Sequence, residues 1–283
     1  MKKNRYLMLL LLFQIFINTL YAEEKPKLEL GIGLASIYFP AYLGSKDDQH
    51  HLLPLPYFIY RGDHLKINRN GLRSRLFSSK NIQLDLSMNA ATPVLSDDIE
   101  KRQGMPDLDP VIEIGSALKW YLGMDKLENR WLLKMPLRAV IATDFKQVDH
   151  VGWRFTPTFN ITPSHQFSGW ATALNLGIDF ADNQYHHYYY GVSPEHENNT
   201  RKRYNGKAGY GGVHLLASAS KRYKKLWVGS FLKYNYLKGA VFEESPLFES
   251  NQGWTAGIGI AWVFHQSKET VTVSNNPLDE MFN

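Results

Sequence analysis

Cysteine is absent from all 283 residues. That excludes a disulfide framework, thiolate catalysis and a lipid anchored on an N-terminal cysteine. A membrane-crossing helix is missing as well. Beyond residue 22 no apolar run approaches the roughly 20 residues such a helix needs, and mean hydropathy is −0.33. A strong charge of one sign is also lacking. Net charge is +5, and Lys2, Lys3 and Arg5 at the extreme N-terminus supply three of those charges. The other basic residues are scattered, apart from Arg201-Lys202-Arg203 and Lys221-Arg222-Tyr223-Lys224-Lys225, both expected in loops or turns. No nucleic-acid partner is expected from such a pattern.

The chain opens with MKKNRYLMLLLLFQIFINTLYA. A basic start, an apolar run interrupted at Gln14 and a small residue at Ala22 have the layout of a secretory signal peptide, expected to be cleaved after Ala22. Aromatic residues are plentiful, with 16 Tyr and 7 Trp. An exported, cysteine-free, aromatic-rich chain without a helical span fits an outer-membrane β-barrel.

A barrel demands period-two alternation in segments of about ten residues. GWATALNLGIDFA puts Trp170, Thr172, Leu174, Leu176, Ile178 and Phe180 on one face and Ala171, Ala173, Asn175, Gly177 and Asp179 on the other. HVGWRFTPTFNIT separates Trp153, Phe155 and Phe159 from Arg154, Thr156 and Asn160. NIQLDLSMNA and WTAGIGIAWVF split in the same way. The expected fold is therefore all-β, a transmembrane antiparallel up-and-down β-barrel of about twelve strands, with ten as the alternative. Strands are expected at 28–39, 52–60, 64–69, 71–78, 81–91, 110–122, 130–143, 150–162, 168–181, 207–221, 225–238 and 253–264. An even number places the long connections 40–51, 92–109, 182–206 and 239–252 together on the outer side and the short turns inside. The expected organisation is a signal peptide 1–22, a barrel 23–264 and a polar C-terminal tail 265–283.

Three motifs sit at the expected outer side. The first has Pro40, Tyr42 and Gly44, followed by a strand with Pro54, Pro56, Tyr57, Tyr60 and Arg61. The second has Gly104, Asp107 and Asp109 leading into a strand with Glu113 and Gly115. The third is Tyr189-Tyr190-Gly191-Val192-Ser193. In this order, with alternating segments between them, they resemble the MipA/OmpV family of outer-membrane proteins over residues 28–264. The polar stretch after Phe264 departs from a barrel's usual terminal aromatic. The resemblance implies localisation in the outer membrane of a Gram-negative envelope, lipid contact and a non-enzymatic scaffold role. It further implies a lytic transglycosylase and a penicillin-binding protein as partners, at the peptidoglycan interface, or a role in permeability.

Chemistry-bearing residues were weighed beside this. His186, His187 and His196 with Glu195 and Glu197 lie in one loop. Adjacent histidines in an extended chain point apart, and the spacing fits no structural zinc pattern. A solvated, tyrosine-rich loop is expected there, with no metal and no cofactor. Ser193, His187 and Asp182 share the loop, but nothing fixes a triad, and no G-x-S-x-G occurs. The chain is not expected to be an enzyme. The alternation sends Glu29, Asp85, Glu113, Lys119, Lys134, Arg138, Arg154, Asp179, His214 and Lys233 into the lumen. Enclosed charges must be paired or hydrated, which leaves two possibilities, a paired polar interior or a narrow channel for small solutes or antibiotics.

Overall fold

The computed structural model describes residues 23–62, 65–68, 71–79, 81–144, 146–163 and 168–273. The expected signal segment, Asp63 and the tail beyond Val273 lie outside these residues.

One large antiparallel sheet carries the fold. Its strands are β2 (Leu28–Pro40), β3 (Asp48–Arg61), β4 (Leu65–Asn68), β5 (Gly71–Ser78), β6 (Ile82–Ala91) and β7 (Val111–Met124). They continue with β8 (Arg130–Thr143), β9 (Val148–Phe155), β10 (Thr158–Thr162), β11 (Ala171–Ala181), β12 (Gly209–Tyr223), β13 (Leu226–Tyr236) and β14 (Gln252–Gln266). Sequential neighbours pair from β2 to β9 and from β10 to β14, β14 pairs back onto β2, and β8 and β11 flank both β9 and β10. The order therefore returns to its start, as an up-and-down barrel requires. The expected strand 150–162 is two strands because Pro157 has no N–H for the ladder. Both halves occupy one place between β8 and β11, so thirteen assigned strands fill the twelve expected positions.

The expected alternation governs what each strand buries. On β11, Leu174, Leu176, Ile178 and Phe180 are exposed, while Gly177 and Asp179 are buried. On β14, Trp254, Ile258, Ile260, Trp262 and Phe264 face out, and Ala261 and Val263 face in. The outer faces of these strands are thus largely apolar, with Ile32 60% and Ile258 59% exposed. Soluble domains rarely expose apolar patches beyond a few hundred Å². No helix among the described residues is long and apolar enough to cross a membrane, which leaves open crossing by strands.

Two expectations need correction. Residues 182–206 are not a solvated loop. Asn183–Tyr190 form a helix, α1, and His186 and Tyr190 are buried. Asp182 caps it by accepting the Tyr185 N–H at 2.9 Å, a strong N-cap type. Tyrosine-rich composition hid the helix because aromatics are poor helix formers and the packing is tertiary. The stretch 265–283 is not wholly a tail either. β14 runs to Gln266, and β15 (Thr270–Val273) pairs with β1 (Glu23–Pro26) in a separate two-stranded ribbon. Alternating Thr and Val favour a strand there.

Candidate functional site

The four long connections meet at one end of the sheet and pack into a common cap. Its buried residues come from each of them: Ala41 and Tyr42, then Val94, Ile99 and Leu108, then Tyr190, Val192 and Tyr204, then Ala240, Phe242 and Leu247. Tyrosine hydroxyls lace the connections together. Tyr42 donates to the Leu247 carbonyl at 2.7 Å, Tyr190 to Leu43 at 2.8 Å and Tyr204 to Val241 at 2.9 Å. Each buried hydroxyl thereby keeps a partner. The Tyr190 ring stacks on Phe242 with centroids 3.9 Å apart. Arg102, buried, donates to the carbonyls of Pro106 and Tyr189. Arg201 reaches the carbonyls of Lys101 and Gln103, both at 3.0 Å.

Burial sets the ionisation of the cap. It pushes the Tyr42 and Tyr190 hydroxyls well above the usual phenol range and lowers the Arg102 guanidinium. Tyr188, buried and beside Asp109, is pushed up to about 12. Burial also lowers the pKa of His186. Its Nδ1–H donates to the Lys207 carbonyl at 2.6 Å, which fixes the neutral tautomer.

The family-motif residues divide between this cap and the strands below it. Pro40 ends β2. Gly44 has φ +91, and a Cβ there would meet the Phe248 ring at 2.5 Å. Gly104 has φ +73. Asp107 accepts the Ser96 N–H at 2.6 Å, and Asp109 offers its carbonyl to the Tyr188 hydroxyl at 3.3 Å. Gly191 closes α1, its N–H on the His187 carbonyl at 2.8 Å. Val192 bridges Tyr204. Pro54, Pro56 and Tyr60 lie on β3, Glu113 and Gly115 on β7.

Ser193, His187 and Asp182 are not brought together as a triad. Ser193 Oγ bonds His196 Nδ1 at 2.8 Å, His187 Nδ1 accepts the Gly206 N–H at 3.3 Å, and Asp182 caps α1. Among the described residues His186, His187 and His196 with Glu195 and Glu197 form no group that could hold a metal ion.

Under the cap, the inward charges form a network. Arg154 donates to Glu113 at 2.8 Å and to Asp179 at 2.5 Å. Arg138 lies 3.2 Å from the other Glu113 oxygen and donates to Thr156 at 2.5 Å. His214 Nδ1 is 2.7 Å from Asp179. The α1 helix sits directly above, with the Tyr185 ring 5.8 Å from the Arg154 guanidinium. It can approach because residue 152 is glycine at φ +129, where a Cβ would strike Asp182 Oδ1 at 2.3 Å. Farther from the cap Lys119 bonds buried Asp85, and Glu29 is held by Arg61 at 2.8 Å and Arg222 at 3.4 Å.

Between these layers lies a lumenal cavity of about 700 Å³. It reaches from Leu55 and Ile37 to Arg130, Thr162 and Trp227 near the end opposite the cap. Lys119, Arg130 and Lys134 form one side; Ile37, Leu55, Leu216, Trp227 and Phe231 supply apolar wall. Among the described residues the buried inward carboxylates are Glu29, Asp85, Glu113 and Asp179, each with a basic partner. The cavity lining holds Lys119, Arg130 and Lys134 and, among the described residues, no acidic side chain.

Comparison with known families matches residues 32–264 to the model described as MltA-interacting protein MipA. The chain belongs to the MipA family. No curated protein matches the chain. The MipA match spans the cap and the whole ring of strands together. The cap residues Arg102, Arg201, Tyr204, Phe242 and Leu247 were not singled out from the sequence. Their signal was the presence of large apolar residues in connections otherwise expected to be polar.

Proposed function

We propose that this MipA-family chain is an outer-membrane β-barrel acting as a non-enzymatic scaffold. In this reading it holds a murein hydrolase near a murein synthase at the inner surface of the outer membrane. The observation that carries it is the occluded end of the lumen. Four connections and the Glu113–Arg154–Asp179 network fill the place where a solute would enter. The apolar outer wall suits lipid. That leaves the turns opposite the cap as the surface a periplasmic protein can reach. The family's name supplies the partner's class, a murein transglycosylase; a penicillin-binding protein is the proposed second partner.

Opposite the cap, the turn 125–129 is held by its own hydrogen bonds. Asp125 accepts the N–H groups of Leu127 and Asn129 at 2.8 and 2.9 Å, and Leu127 is 73% exposed at its tip. A rigid turn presenting one large apolar side chain suits a protein contact. The test immobilises the folded barrel and measures its affinity for the lytic transglycosylase. Leu127→Asp is expected to weaken capture about tenfold with the barrel still folded. Absence of capture by the unaltered protein would end the scaffold reading.

The second reading is a narrow channel. The cavity of about 700 Å³ and its excess of cations favour it. It requires the cap to open.

A further inference from the structure

Strand β3 has a neighbour on only one side along most of its length. β4 pairs with it at Tyr60 and Arg61 alone, and the β4–β5 hairpin turns back immediately after Asn68. Among the described residues, β3 from Asp48 to Ile59 pairs only with β2. Facing it across the gap, β6 from Leu86 to Ala91 pairs only with β7.

The sequence of β3 is matched to this edge. The Arg61 N–H donates toward β2, to Lys27 O at 2.8 Å. The register with β2 is unbroken, so odd-numbered N–H groups face β2 and even-numbered positions face the gap. Pro54 and Pro56 are even-numbered. They remove two donors from an edge that has no partner among the described residues, as prolines in sheets do. A further strand cannot be zipped on there. Toward the cap the gap is bounded by the Glu100 N–H bonding Asp47 at 3.0 Å. Inside it, Asn89 faces the lumen yet is exposed. Leu55, between the two prolines, faces inward and lines the lumenal cavity.

We propose that this gap is a lateral window through which the cavity takes up a single-tailed amphiphile with an anionic headgroup. The tail lies along Leu55, Ile37, Leu216 and Phe231, and the headgroup on Lys134 and Arg130. A bilayer presents such molecules side-on at the depth of Pro54 and Pro56. The cavity volume falls within the roughly 300–1,000 Å³ of ligand pockets. The three basic residues of the cavity lining, with no acidic one among the described residues, select a negative head. The proposal rests on the membrane placement proposed above, not on the scaffold role.

The test uses the full barrel folded into liposomes, then extracted into neutral detergent, with oleoyl lysophosphatidylglycerol as probe and native mass spectrometry as readout. One lysolipid is expected to bind per barrel. Oleoyl lysophosphatidylcholine is expected to bind at least tenfold more weakly, and glycerol phosphate or inorganic phosphate not to compete. Lys134→Glu is expected to weaken binding about tenfold; Lys134→Gln, the milder change, keeps the test valid if the reversal misfolds. Leu55→Trp, which fills the window, is expected to slow uptake from liposomes. Equal binding of charged and zwitterionic lysolipids, competition by phosphate, or no bound lipid on an inserted barrel overturns the proposal. Failure to insert overturns the membrane placement itself, and the window with it.

Discussion

Arg154 is the residue on which the lumen's charges converge. It spans Glu113 and Asp179 with one guanidinium, a geometry lysine cannot copy. Its removal leaves two carboxylates enclosed without their shared partner, a change that typically costs about 3–5 kcal/mol. Arg154→Gln is therefore expected to lower the urea midpoint of the liposome-embedded barrel strongly, and Arg154→Lys to recover only part of it. An unchanged midpoint for Arg154→Gln would show that lumenal water replaces the ion pairs. His186 carries the pH dependence of the cap. Burial holds its pKa below the ordinary value of about 6.5, with Asp182 opposing and Arg154 adding to the effect. The folded cap thus binds fewer protons than the unfolded one. Its stabilisation is complete above about pH 6.5 and is lost as pH falls through the lower folded value. Protection factors of the amides over 183–190, corrected for the intrinsic pH dependence of exchange, are expected to fall on acidification below that point, and less so in His186→Gln. Protection that ignores pH in the natural protein would remove His186 from this role.

Strand β3 joins two ladders of unlike length, a full one to β2 and a brief one to β4. An unpaired edge is ordinarily a hazard for edge-to-edge association. Pro54 and Pro56 restrain it by withholding donors. Replacing both by valine restores the donors and raises strand propensity. The double variant is expected to dimerise, seen as a doubled mass by light scattering at matched detergent concentration. A monomeric variant would mean that the gap is protected by its surroundings and not by the prolines. The helix α1 is the second element with a defined task. Its eight residues would be marginal alone. Seating on Gly152 and packing of His186 and Tyr190 against Phe242 keep it over the lumen.

The whole molecule is an outward-facing apolar wall around a polar lumen that is occluded at one end. Planar-bilayer recordings are therefore expected to be silent for the unaltered barrel. Excising 183–190 with a short glycine linker is expected to produce conductance steps, biased toward anions by Lys119, Arg130 and Lys134 on the cavity wall. Steps in the unaltered barrel would move the weight to the channel reading.

The alternation of side chains was enough to place most strands and to send Asp85, Glu113, Arg138, Arg154 and Asp179 inward, because the faces of a strand are set by covalent geometry alone. The prolines were not read for what a missing N–H does: 150–162 was expected as one strand, yet Pro157 breaks it, and Pro54 and Pro56, expected only as motif residues, mark an edge. The cap was not legible. Its contacts join residues near 42, 102, 190 and 247, and no local period encodes proximity across such separations. A tyrosine hydroxyl reads the same whether it meets water or a carbonyl 147 residues away, as Tyr190 meets Leu43. Which charges pair, that the lumen is covered at one end, and that β3 from Asp48 to Ile59 pairs only with β2 among the described residues were decided only when the strands came round upon themselves.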